Sequence, residues 1–130
     1  MIWLKVLFSA LVLSVGLARA EMSEQDSEFY RRVFEEVDPD FILDNERILQ
    51  SYLKCSYSEV ERNKHAEVVK ESIPEVLSTV CGKCSDKQKD IFKYSLNKFI
   101  PAHPKDWDKI LSIYDPTGEY WPKVKAFIAS

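Results

Sequence analysis

Residues 65–100 read HAEVVKESIPEVLSTVCGKCSDKQKDIFKYSLNKFI, and the punctuation of this stretch decides the fold. Val69, Ile73, Leu77 and Val80 recur at i, i+4, i+8 and i+11, which places them on one face of a helix. Pro74 falls inside that pattern, where it removes a backbone donor and favours a kink. The apolar stripe continues through it, so the spacing predicts one bent helix from His65 to Val80. Cys81-Gly82-Lys83-Cys84 then forms a turn. Ser85-Asp86-Lys87-Gln88 matches a capping box, in which the serine oxygen accepts from the Gln88 amide and the glutamine side chain reaches back. Phe92, Leu96, Phe99 and Ile100 give the inner face of the helix that follows, with Pro101 near its end.

The same grammar extends in both directions. Upstream, Phe29, Tyr30, Val33 and Phe34 mark a helix over Ser27 to Val37. Asp38-Pro39 suits an N-cap followed by a first helical residue, so a short helix through Ile42 and Leu43 follows. Asn45 caps the next one, whose stripe is Ile48, Leu49, Tyr52 and Leu53 and which runs to about Tyr57. Ser58 to Lys64 is a polar connection. Downstream, Pro104 opens a helix carrying Trp107, Ile110, Leu111 and Tyr114. Asp115-Pro116-Thr117-Gly118 is a turn by residue type, and Glu119 to Ala129 is a last helix with Tyr120, Val124, Phe127 and Ile128. The chain has three glycines and no Asn-Gly or Asp-Gly hairpin signal. The expectation is an all-α, single compact domain of about six helices whose apolar faces converge.

Residues 1–20 read as a cleaved signal peptide. Lys5 precedes the mostly apolar run from Val6 to Leu17, which is short for a bilayer span, and Ala18-Arg19-Ala20 is an A-x-A cleavage pattern. Residues 21–130 are then the mature domain, secreted and extracellular, with no membrane span. The whole chain carries 18 basic and 21 acidic residues, a net −3. Loss of Lys5 and Arg19 takes the mature charge to −5, with both signs interspersed, and nothing suggests a nucleic-acid surface.

Four stretches together resemble the insect chemosensory proteins, also called the OS-D or pherokine family. Thr79 to Lys89 is similar to the family's T-x-C-x-K-C-S-x-K-Q-K block. Phe34 to Leu43 resembles its Y-D-N-I-D-V-D-E-I-L segment, and Ser51-Tyr52-Leu53-Lys54-Cys55 its N-Y-x-K-C segment. Trp107 with Tyr114-Asp115-Pro116-Thr117-Gly118 resembles its W…Y-D-P-x-G stretch. The resemblance implies six helices around a hydrophobic channel that binds long-chain lipids, fatty acids or semiochemicals. The residues that would line such a channel are Phe34, Ile48, Leu49 and Tyr52, then Val69, Ile73 and Leu77, then Phe92 and Leu96, and finally Trp107, Leu111, Tyr114 and Tyr120. Composition and periodicity do not show that the interior is hollow, because apolar stripes at helical spacing are ordinary core.

The family carries four cysteines, paired first with second and third with fourth. Here Arg62 stands where the second is expected, leaving Cys55 as either a reduced thiol or an intermolecular link, hence a monomer or a disulfide-linked dimer. The remaining pair, Cys81 and Cys84, would bridge, contributing about 2 kcal/mol by loop entropy and fixing the turn. A redox reading of C-x-x-C lacks the βαβ context, and a zinc site built from three cysteines and His65 matches no standard spacing. His65 and His103 sit in no nucleophile motif, and no phosphate loop or dinucleotide fingerprint is present. No enzyme, cofactor or metal is therefore expected. The partner is a hydrophobic small molecule, whose acid or alcohol head the Tyr52 hydroxyl would hold at a channel mouth. The alternative is a secreted signalling or immune and developmental interaction protein with a filled core.

Overall fold

The computed structural model describes residues 22–59 and 63–130, which form seven helices and no strand. The signal-peptide reading of residues 1–20, the position of Arg62 and part of the 58–64 connection lie outside the described residues. The helices are α1 (Glu24–Glu35), α2 (Pro39–Leu43), α3 (Glu46–Ser56), α4 (Lys64–Thr79), α5 (Asp86–Ala102), α6 (Pro104–Tyr114) and α7 (Trp121–Ala129). Counting the short α2 separately takes the expected six to seven.

Most starts are fixed by side chains that accept an orphan amide. Asp38 accepts from Asp40 N at 2.9 Å, with Pro39 in the first turn of α2. Asn45 caps Ile48 N, and Asn63 caps Ala66 N. Ser85 and Gln88 form the full capping box. The spare amide of Gln88 then donates to Glu35 Oε2 at 2.9 Å, so the box that starts α5 also ties it to the end of α1. Helix α1 begins three residues before the expected Ser27, because Ser23 accepts from Asp26 N.

Helix α4 ends on a strained turn. Val80 and Cys81 both take positive φ, 53° and 56°, a region that branched side chains rarely enter. The Cys81 amide donates to Val76 O, and the Gly82 amide donates to Thr79 Oγ1 at 3.0 Å. Cys81 and Cys84 are joined as a disulfide, and both lie within the core, 0% and 9% exposed. Gly82 is required for space: a methyl there would lie 3.0 Å from Thr79 Cβ and 3.1 Å from Thr79 O. Gly82→Ala is therefore expected to cost about 1–2 kcal/mol by overpacking, read from its urea midpoint. An unchanged midpoint would mean that the turn yields freely.

Helices α1 to α6 pack around one interior. Helix α3 lies on α2 and α4, α1 on α4 and α5, and α5 on α2 and α6. Two tyrosines hold the C-terminal end of α3 against α6: Tyr114 donates to Ser56 O at 2.6 Å, and Tyr57 donates to Asp106 Oδ1 at 2.9 Å. Helix α7 packs on α5, with Val124 and Ile128 buried and Phe127 stacked on Phe92. Its start differs from expectation by two residues. The buried Asp115 carboxylate accepts from the Tyr120 and Trp121 amides at 3.1 and 2.9 Å, so the cap comes from across the turn.

Candidate ligand cavity

A cavity of about 230 Å³ lies between α1 and α6, and its wall is overwhelmingly apolar. Helix α4 contributes most of one side through Val69, Ile73, Val76 and Leu77. Helix α5 faces it with Ile91, Phe92, Leu96 and Phe99. Helix α1 adds Val33 and Phe34, α3 adds Tyr52 and Leu53, and α6 adds Trp107 and Ile110. Helix α2 forms a short wall with Pro39, Ile42 and Leu43. Edge-to-face contacts of Phe34 with Phe92 and of Phe99 with Trp107 brace the aromatic part.

Of the thirteen candidate lining residues, Phe34, Tyr52, Val69, Ile73, Leu77, Phe92, Leu96 and Trp107 are at the cavity wall. Five are elsewhere. Ile48 packs beside the small cluster of Tyr52, Cys55 and Ala66. Leu49 is buried in the main core, and Leu111, Tyr114 and Tyr120 pack against that core. The reason is angular. One residue advances a helix by about 100°, so Ile110 faces the cavity where Leu111 was expected to. Leu53, Phe99 and Ile110 sat on stripes already visible in the sequence. Val76, Ile91, Ser72, Ser95 and His65 carried no such signal.

The polar groups in the wall are few and mostly satisfied. Ser56 donates to Tyr52 O, and Ser72 donates to Val69 O, each spent on its own helix. The Trp107 indole N–H is buried and finds no acceptor among the described residues. Tyr52 Oη lies 2.6 Å from His65 Nδ1, and His65 Nε2 lies 2.8 Å from Arg32 O. Burial, then the charge of Glu36, pushes the Tyr52 pKa up to about 12, so its hydroxyl keeps its proton at neutral pH. Among the described residues no group of three or more potential metal ligands comes together, and Cys55 is buried, 5% exposed.

The α2 wall is pinned from outside. Lys98 Nζ lies 2.7 Å from both Asp40 and Asp44, and Tyr94 donates to Asp40 at 2.7 Å. The Lys98 ammonium, then the Tyr94 hydroxyl, holds the Asp40 carboxyl below its ordinary value of 3.8. A depressed folded value means that this contact stabilises α2 above the ordinary range and is lost as pH falls through the folded value. Lys98→Met is expected to raise the Asp40 pKa, followed through its carboxyl carbon shift. A titration identical to the parent's would mean that Tyr94 alone holds it.

A sequence profile of the insect pheromone-binding family, A10/OS-D, matches residues 30–122. A10 of Drosophila melanogaster, named as a candidate odorant-binding protein, is 34% identical over 99 residues, which is 76% of this chain and 64% of that protein. The chain thus aligns with less than two thirds of that relative. Ejaculatory bulb-specific protein 3 of Drosophila melanogaster is 28% identical over 123 residues, 95% of this chain and 93% of that protein. Among solved structures, a chemosensory protein in complex with bromo-dodecanol superposes with a TM-score of 0.65 at 24% identity, covering 75% of this chain and 97% of the other.

Proposed function

Because the chain belongs to the A10/OS-D insect pheromone-binding family, we propose that it is an extracellular carrier or scavenger that holds one long-chain hydrophobic molecule in the cavity between α1 and α6. The observation that carries this reading is the cavity itself. About 230 Å³ of apolar-walled space is kept between the helices, where an apolar chain exchanges water for apolar neighbours. Each methylene brought in from water gains about 0.8 kcal/mol, so an alkyl chain binds without a specific polar contact. The structure of the chemosensory protein with bromo-dodecanol supports the ligand class.

Residues 1–20 act in this reading as the export signal and 21–130 as the binding domain. The carrier works as a monomer. Cys55 lies among Tyr52, Ala66 and Val69, and it would have to leave that packing to reach a second chain. Among the described residues no helix is long and apolar enough to cross a membrane.

The test is a displacement titration on delipidated mature protein. A bound fluorescent hydrophobic probe is competed with alcohols and fatty acids of increasing chain length. Saturable displacement at one site per chain, tightening with length, is expected. Absence of saturable binding contradicts the carrier reading and favours a protein partner.

A further inference from the structure

We infer that His65 makes this cavity select ligands whose head group donates a hydrogen bond, so that a long-chain alcohol is preferred to an acceptor-only carbonyl compound of the same chain. The inference rests on the carrier reading and deepens it by assigning the polar end of the site. It turns on where one proton is held.

The Arg32 carbonyl, 2.8 Å from His65 Nε2, can only accept. That contact therefore requires the proton on Nε2. In a neutral imidazole, Nδ1 is then a bare lone pair. Tyr52 Oη stands 2.6 Å from it, so the phenol donates its one proton to His65. What the Tyr52 oxygen offers to anything else in the cavity is acceptor capacity alone.

Both side chains lie in the cavity wall, and Tyr52 is 9% exposed. An alcohol O–H can donate to the Tyr52 oxygen. A ketone or ester carbonyl meets an oxygen that has no proton to give, and a carboxylate also meets the field of Glu36, which already acts on Tyr52. The Trp107 N–H can serve an alcohol or a carbonyl, so it does not produce this preference. His65 need not touch the ligand. It is a positioning residue that sets the polarity of the hydroxyl beside it.

The experiment compares dodecanol with dodecan-2-one on the parent, His65→Leu and Tyr52→Phe, in mildly alkaline buffer. The parent is expected to favour the alcohol. In His65→Leu the Tyr52 proton is released to the cavity, and the ratio of the two dissociation constants moves toward the ketone by roughly 2- to 12-fold, the net worth of one hydrogen bond. In Tyr52→Phe the alcohol alone weakens. A purely structural role for His65 would weaken both ligands together, and an unchanged ratio in all three proteins overturns the inference while leaving the carrier intact. No binding of either ligand to the parent removes the carrier reading and this inference with it. One measurement needs no variant: the imidazole nitrogen shifts of the parent should report the Nε2–H tautomer. The Nδ1–H tautomer would overturn the assignment.

Discussion

Leu96→Trp is expected to weaken binding of a dodecyl-chain ligand by roughly 100-fold while the protein stays folded. Leu96 is half-buried on α5 and faces the cavity. An indole there occupies space that the ligand would otherwise fill. Displacing about four methylenes at about 0.8 kcal/mol each removes about 3 kcal/mol, and every 1.4 kcal/mol is tenfold in affinity. Enlarging a core side chain normally costs about 1–3 kcal/mol because neighbours must move. Here about 230 Å³ of adjacent space absorbs the ring, so the thermal midpoint should fall little. Isothermal titration and a melting curve on the same sample separate the two effects. Undiminished affinity would place the ligand elsewhere.

Asp115→Ala is expected to be the most damaging single change outside the apolar core, costing about 3 kcal/mol. Its carboxylate is buried, 5% exposed, and accepts two backbone amides at the start of α7. Hydrogen bonds to a charged group are worth about 1.5–3 kcal/mol each, and removal leaves two buried donors unpaired. The loss should be concentrated in α7, where Val124 and Ile128 would part from α5. Hydrogen exchange should show α7 opening ahead of α4 and α5. Because α7 contributes nothing to the cavity wall, ligand affinity of the folded fraction should survive. Affinity that collapses in step with stability would mean that α7 supports the site after all.

Local chemistry was legible in the sequence, and tertiary consequences were not. The caps at Asp38 and Asn45 and the Ser85–Gln88 box could be read because each acts within three residues. Ser23 escaped notice because the residues it caps, Glu24 to Asp26, are polar and precede the apolar stripe. The start of α7 shifted because Asp115 caps it from five and six residues away. The stripes located the interior but not the cavity. Ile110 and Leu111 are equally apolar, and only the rotation of α6 against its neighbours decides which faces empty space. The sequence raised His65 only as a candidate metal ligand or catalytic base and not as a cavity residue, since its hydrogen bonds depend on Tyr52, 13 residues away, and on Arg32, 33 residues away.

The central claim is that the space between α1 and α6 is where a hydrophobic ligand resides. Methyl-resolved NMR during a dodecanol titration tests it most directly. The methyl groups of Val69, Ile73, Val76, Leu96 and Ile110 should shift together and saturate at one ligand per chain, while those of Val124 and Ile128, on the buried face of α7, stay in place. Shifts confined to the exposed surface around Ile113, or no saturable shift in the cavity methyls, would contradict the account.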